Sequence, residues 1–408
     1  MKEFFNVETI EAVLAHAPAF TPVESETVAL AEALGRVLTE DIYSDVDIPD
    51  FDRSTMDGFA VKAASTFGAS EANPAYLNVC GQIKMGARPD FTVHAGEAAK
   101  ISTGGMLPEG ADSVIMVEHT DQLDDTTIEV YRSVAPGQHV IEKGEDIRTS
   151  SPALVKGTRI RPQEAGLLAA CGKTEIEVFR RPMVGILSTG DEVVPVDRVP
   201  ADGQIRDINA HSLSGQVLEA GGVPVNFGIV KDNRDDLMEK CRQALQLTDM
   251  VMISGGSSVG ARDFTVDVLA GLPDTGILVH GISISPGKPT ILASSGGKAF
   301  WGLPGHAVSA MVVFAVVVRP FLDRICGLAV TQRRFPVQAT LSRNLASAQG
   351  RVDYVRVRLF TENGAILAEP ILGKSGLINT MVKADGLIAI GMNTEGLDKG
   401  AIVEVLPL

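Results

Sequence analysis

A chain of 408 residues with 51 acidic against 36 basic side chains carries a formal net charge of −15, which argues against nucleic acid and anionic membrane surfaces as main partners. Four scattered cysteines (Cys80, Cys171, Cys241 and Cys326) form no CxxC pair, and seven histidines show no HxH or HExxH spacing. Neither a disulfide framework nor a built-in zinc or iron site is therefore expected. At 45% hydrophobic and 21% charged residues the composition is that of a soluble globular protein, long enough for roughly two to four domains.

The first residues, Met1 to Asn6, carry an acid early and no apolar signal region, and the cysteines read as reduced thiols, so the cytoplasm is the expected compartment. Residues 1–45 read as helical, with Ile10, Val13, Leu14 and Ala17 on one face and a second stretch around Leu30–Leu34 stopping at Gly35. From about 46 to 146 short β-like runs alternate with Gly, Pro and Asp, as at Tyr76–Val79, Ser113–Val117 and Thr127–Tyr131. Residues 147–180 are mixed, with a helix expected at Pro162–Cys171.

The clearest pattern runs from 182 to about 327. A strand at Val184–Leu187 ends in Ser-Thr-Gly-Asp-Glu, and a helix at Asn209–Ala220 follows. The strand Val223–Val230 ends at Lys231-Asp232, the helix Arg234–Leu245 repeats Leu237, Cys241, Ala244 and Leu245 on one face, and the strand Met250–Ile253 ends in Ser254-Gly255-Gly256. Such alternation predicts a parallel sheet with crossover helices, whose ligands bind beyond the carboxyl ends of the strands. The longest apolar stretch, Ala307 to Val318, is too short to span a bilayer and reads as a buried core helix. The end of the chain is β again: Val355–Phe360 and Ala365–Glu369 flank Thr-Glu-Asn-Gly, a hairpin signal, and Gly396 to Gly400 marks a turn before Ile402–Leu406. A small barrel or sandwich is expected there.

Chemistry clusters at the strand ends. Ser254 to Asp263 reads Ser-Gly-Gly-Ser-Ser-Val-Gly-Ala-Arg-Asp, either a phosphate-cradling loop or a tight turn capped by Asp263. Ser188-Thr-Gly-Asp-Glu192 supplies two adjacent carboxylates and Asp232 a third; each either caps a helix or shares a cation. Three strand ends agreeing favours a phosphorylated ligand with Mg²⁺. Lys288, in Ser285-Pro-Gly-Lys-Pro289, is a point charge for an anion or a surface lysine. His306, in Gly302 to Ser309, is an oxyanion donor, a proton-transfer group or a helix cap. Trp301 is expected in the core, and the Asp50–Gly58 and Ile101–Gly110 segments read as turns.

Taken together, Phe51-Asp-Arg-Ser-Thr-Met-Asp-Gly-Phe-Ala60, Ser102-Thr-Gly, Leu107-Pro-Glu-Gly-Ala-Asp112, Gly144-Glu-Asp-Ile147, Ser188-Thr-Gly-Asp-Glu192, Gly203-Gln-Ile-Arg-Asp-Ile-Asn209, the Gly-Gly-Ser-Ser-Val-Gly loop, Pro286-Gly-Lys-Pro289 and Leu303-Pro-Gly305 resemble, in order and spacing, the bacterial molybdopterin molybdenumtransferase family, whose architecture is similar to the E domain of gephyrin. The resemblance spans essentially the whole chain. It implies a multidomain α/β plus β fold: a discontinuous linker domain (1–45 and 147–181), a β-rich domain with the acidic signature (46–146), a doubly wound α/β molybdopterin-binding domain (182–327) and a C-terminal β-barrel (328–408).

It further implies a homodimer working with other molybdenum cofactor biosynthesis proteins. The cleft would lie between subunits, bringing Asp57, Thr103 and Asp146 opposite Glu192, Asp232 and Asp263. The implied reaction inserts molybdate into adenylylated molybdopterin and releases AMP, with Mg²⁺ held by Asp232 and Asp263. Gly255, Gly256, Ser258 and Gly260 would cradle phosphate, and Lys288 would attract molybdate. Pro304, Gly305, His306 and Ser309 would line the substrate, with Arg356 and Ser375 as anion contacts. This chain departs from the family pattern at Gly281 and Ser285, where relatives carry lysines, and at His306-Ala307, where they carry Asn-Pro. Those departures keep open a non-catalytic paralogue that binds molybdopterin as carrier or scaffold. A nucleotide pyrophosphatase on the same α/β fold is the weakest alternative, because such relatives lack the acidic signature and the barrel.

Overall fold

The computed structural model describes residues 7–255, 261–329 and 335–408, with residues 261–264 described by backbone alone.

The N-terminal segment departs from its helical expectation. Helix forms at Ile10–Leu14, capped by Thr9, and the Leu30–Leu34 stretch makes one 3₁₀ turn at Leu30–Glu32. Between them Ser25–Ala29 is a strand, paired antiparallel with Glu175–Phe179, which also pairs with Val37–Leu38. Thr27 donates to Glu177 at 3.1 Å, and Val28 packs with Leu38, Ile160, Leu168, Ile176 and Val178. Pairing with a strand 150 residues away in sequence outweighs local helix propensity. Ile42–Tyr43 likewise pairs with Pro152–Leu154, so this unit is built from two separated stretches of chain. The expected helix nearby spans Pro162–Ala170.

The β region forms a six-stranded sheet containing the expected strands as Ala75–Gln82, Ser113–Met116 and Thr127–Val130, together with Gly58–Val61, Glu97–Ile101 and Thr120–Gln122.

The α/β unit carries the site. Its strands are β1 (Met183–Thr189), β2 (Val223–Val230), β3 (Met250–Ser254), β4 (Thr275–His280), β5 (Ile291–Ser295) and β6 (Lys298–Leu303), in sheet order β2-β1-β3-β6-β5-β4. The first four in that order are parallel, and β5 and β4 continue the sheet antiparallel. Period-two alternation sends Val184, Ile186, Met250, Met252 and Trp301 into one apolar cluster and Leu187, Val251, Ile253 and Phe300 into another. The sheet is thus buried on both faces, as a parallel sheet requires. Trp301 is core, edge-on to Phe321 at 4.9 Å. The apolar stretch is helical at Ala307–Val313, passes through a π turn at Phe314–Val318 and resumes at Arg319–Ile325, the irregular turn preceding Pro320, which has no N–H to give the ladder.

Val352–Glu362, Ala365–Pro370, Val337–Leu341, Ile402–Pro407 and Gly386–Ile390 pair in a closed ring, a five-stranded barrel. At its hairpin Asn363 (φ 50°) and Gly364 (φ 79°) both take positive φ, the conformation that Asn-Gly favours in two-residue turns.

Candidate active site

The carboxyl ends of β1, β2, β3 and β6 open into one cleft of about 290 Å³, lined by Ser188, Thr189, Gly190, Glu192, Arg206, Asp207, Asn209, Asp232, Ser254, Gly255, Gly305 and His306, with Gly376 reaching in from the barrel. Local backbone conformation builds it. Gly255 adopts φ +120°, and a Cβ there would sit 2.2 Å from the Thr189 carbonyl oxygen, so β1 and β3 end in close backbone contact. Gly190 is open for the same reason: Glu192 folds its carboxylate back to 2.6 Å from where a Cβ would stand.

Asp207 is buried and accepts the Ala210 N–H at 3.0 Å, capping the Asn209–Ala220 helix. Asn209 donates its side-chain N–H to the Gly305 carbonyl at 2.8 Å and so fixes the loop after β6. His306 Nδ1 lies 2.7 Å from Ser375 Oγ, and the Val308 N–H donates to the Ser375 carbonyl at 3.2 Å, which ties that loop to the barrel. Ser188 Oγ, Ser254 Oγ and Asn209 Oδ1 are buried and have no hydrogen-bond partner among the described residues. Buried polar atoms in proteins are almost always paired, so these three mark places for polar groups of a ligand or of the Gly-rich loop.

The cleft is acidic. Asp232 donates its N–H to Asp191 Oδ1 at 3.4 Å, and burial, then the charges of Asp191 and Glu192, push its carboxyl above the usual carboxylate range. Among the described residues no three His, Cys, Asp or Glu side chains are placed to hold a metal on their own.

Of the expected site residues, Glu192, Asp232, Gly255, Gly305 and His306 line this cleft, and Ser375 reaches it through His306. Gly256, Ser258, Gly260 and the Asp263 side chain lie outside the described residues. Asp57, Thr103 and Asp146 are exposed and do not line the cleft. Asp57 instead anchors Thr103, accepting its N–H at 2.7 Å and its hydroxyl at 3.2 Å. Lys288 is exposed and outside the lining; Pro304 and Ser309 are buried beside it. Arg356 is buried, donating to Thr380 Oγ1 at 2.9 Å and to the Gly373 carbonyl at 2.8 Å. Ser285 stands in register with Asp353 of the barrel, in a short parallel pairing of Ile284–Ser285 with Val352–Asp353.

Arg206, Asp207 and Asn209 have no role in the sequence reading, although the Gly203–Asn209 segment stands out there. The signal was present as an ordered motif. A role was not, because it depends on where the loop at Gly305 comes to rest.

Comparison with known proteins completes the picture. Residues 6–172 match the MoeA N-terminal region (domain I and II), 185–324 a probable molybdopterin binding domain, and 338–408 the MoeA C-terminal region (domain IV). The chain belongs to the molybdopterin molybdenumtransferase (MoeA) family. Within it, the chain is 33% identical over 396 residues to the molybdopterin molybdenumtransferase of Bacillus subtilis, covering 94% of this chain and 90% of that one. It is 38% identical over 387 residues to a putative molybdopterin biosynthesis protein of Methanocaldococcus jannaschii, covering 93% and 91%. The crystal structure of a molybdopterin biosynthesis protein from Pyrococcus horikoshii matches with a TM-score of 0.77 at 38% identity, over 98% of this chain and 99% of that one. Apart from Gly376, the residues that line the cleft fall within the segment matched by the probable molybdopterin binding domain.

Proposed function

We propose that this protein works in molybdenum cofactor biosynthesis as a molybdopterin molybdenumtransferase, inserting molybdate into adenylylated molybdopterin with release of AMP. The observation that carries the reading is the strand-end cleft, where Ser188, Ser254 and Asn209, whose buried polar atoms have no partner among the described residues, line the same cleft as Glu192 and Asp232, inside the segment that matches a probable molybdopterin binding domain. Ser188, Ser254 and Asn209 receive polar groups of the substrate, and His306 donates to its anionic part. Gly255 lets the substrate approach the backbone, and Gly256, Ser258 and Gly260, which lie outside the described residues, would cradle its phosphate.

The donor set suits Mg²⁺. Carboxylate oxygens are hard ligands, and Mg²⁺ ordinarily takes one or two of them together with substrate phosphates and water rather than a full protein cage. Asp232 and Asp263 would hold it, and when bound it neutralises charge on the phosphates.

The reading includes four domains with the boundaries given above, a cytoplasmic location and a homodimer. Among the described residues no helix is long and apolar enough to cross a membrane. Since Asp57, Thr103 and Asp146 do not line the cleft of their own chain, a second copy would bring them to it. A carrier or scaffold is the second reading, favoured by Gly281 and Ser285 standing where the resemblance leads one to expect lysines, and by Ala307.

The experiment mixes purified protein with adenylylated molybdopterin, molybdate and Mg²⁺ and quantifies AMP and bound molybdenum, with mass measured by light scattering. Molybdate-dependent AMP release from a dimer is the expected result. Tight pterin binding without AMP release selects the carrier.

A further inference from the structure

Between the end of β1 and the Asn209–Ala220 helix, residues 191–206 form a loop whose two ends lie together. Val193–Val194 pairs parallel with Ile205–Arg206, and the Ile205 N–H donates to the Glu192 carbonyl at 2.8 Å. None of these residues is buried and none joins an apolar cluster of the domain, whereas Gly190 before them and Asp207 after them are buried. The loop's hydrogen bonds are its own: the Gln204 N–H donates to the Ala201 carbonyl at 3.0 Å and Arg206 Nε–H to the Val196 carbonyl at 3.1 Å. Two more tie it to its anchors, Val193 N–H to the Gly190 carbonyl and Asp207 N–H to the Val194 carbonyl. Among the described residues a single hydrogen bond runs from the loop to the rest of the domain, Asp191 Oδ1 accepting the Asp232 N–H at 3.4 Å.

There is room on both of its faces. Glu192, Ile205 and Arg206 line the cleft of about 290 Å³, while Val194, Arg198 and Gln204 line a second cavity of about 560 Å³ behind the loop, walled on its far side by β2 at Asn226 and Ile229. A segment with so few buried contacts opens at low free energy, and a loop closed at its base moves as a unit about its anchors. One anchor is Gly190, at φ +137°; the other is Asp207, fixed by its bond to the Ala210 N–H. We propose that the 191–206 loop is a gate on the cleft, closing over a nucleotide phosphate with its divalent cation and opening into the cavity behind it. The proposal rests on the enzyme reading for its ligand class. Closure brings Glu192 towards the cation and Arg206 towards the phosphate, so the gate answers to the pair and not to either ion alone.

The test is hydrogen exchange read by mass spectrometry on full-length protein, free and with AMP, Mg²⁺ or both. In free protein the 191–206 peptide is expected to exchange within seconds while β3, buried along its whole length, stays protected. AMP with Mg²⁺ is expected to slow the loop roughly tenfold, and either alone to do less. A second reading places a nitroxide on Val199→Cys, a loop position that is 87% exposed, in a Cys80→Ser background that removes the exposed native thiol. Its spectrum is expected to broaden with AMP and Mg²⁺ together.

A loop as protected as β3 in free protein, whether held by a second copy or otherwise, overturns the proposal. So do exchange and label mobility that AMP with Mg²⁺ leaves unchanged. If the protein releases AMP from adenylylated molybdopterin while the loop ignores AMP and Mg²⁺, the enzyme reading stands and the gate falls. If the loop closes on AMP with Mg²⁺ but no molybdate-dependent AMP release occurs, the gate stands and the enzyme reading falls.

Discussion

Gly255→Ala tests the backbone geometry on which the cleft depends. The residue sits at φ +120°, where side chains other than hydrogen are disfavoured by about 1–2 kcal/mol. The added methyl would stand 2.2 Å from the Thr189 carbonyl oxygen and 2.7 Å from its Oγ1. Ordinary contacts lie near ~3.5 Å, so the end of β3 must move from β1 by roughly 1 Å, at about 1–3 kcal/mol for an overpacked site. We expect a total loss of about 2–5 kcal/mol, seen as an earlier thermal transition, and a larger loss of AMP release, because Ser188 and Ser254 are register partners across that junction. Thr189→Ala in the same background should not rescue it, since the nearest atom belongs to the backbone. Gly276→Ala in β4 is the control: nothing lies within 4 Å of a Cβ there. Wild-type melting and AMP release in Gly255→Ala would refute the reasoning.

Three further outcomes are expected. Asp232→Asn abolishes AMP release yet melts later than wild type at neutral pH, because a carboxyl raised in the fold contributes stability only while protonated and loses it as pH rises through its folded pKa; the difference should vanish in acid, and Mg²⁺ should stabilise wild type but not the variant in a thermal-shift assay. Arg180→Ala costs about 2–3 kcal/mol at neutral pH by denaturant unfolding: Asp249, raised by burial but lowered on balance by two 2.7 Å bonds from Arg180 and by the Met183 N–H, pins the start of β1. Its contribution is present above the unfolded carboxylate pKa and lost as pH falls through the lower folded one, so the cost disappears in acid. Of the four thiols, Cys80 alone is exposed, while burial pushes Cys241 and Cys326 up to about 12; a thiol reagent should label one cysteine in native protein, and labelling of more than one without denaturant contradicts that burial.

What the sequence reveals and hides follows the reach of each interaction. Strands β2 and β3, the Asn209–Ala220 helix and the Asn-Gly hairpin were legible because their determinants lie within a few residues: alternation, a capping position, two positive-φ residues in a row. Ser25–Ala29 was not, since the partner that makes it a strand is Glu175–Phe179. The same distinction separates the site residues. Glu192, Asp232 and Gly255 announce themselves by standing at strand ends, whereas Asn209 acts through a carbonyl at Gly305 and Ser375 through a ring at His306. Arg356 shows the converse: its charge is plain in the sequence, but two of its nitrogens are occupied in holding a loop.

Charge makes the sharpest demand on the cleft. Its described lining brings Glu192, Asp207 and Asp232 together against Arg206 and His306, with Asp191 bonded alongside. Asp207 is committed to its helix cap, which leaves Glu192 and Asp232 facing whatever enters. An anionic pterin nucleotide would be repelled by that pair at close range unless a cation intervenes. Arg206 is exposed and gives its Nε–H to the Val196 carbonyl at 3.1 Å, and Lys288 stands outside the lining. Among the described residues, the lining therefore places acids where a purely protein-based anion site would place bases. Such an arrangement is explicable when the anion arrives with a divalent cation, and the acids then select the pair over the bare anion.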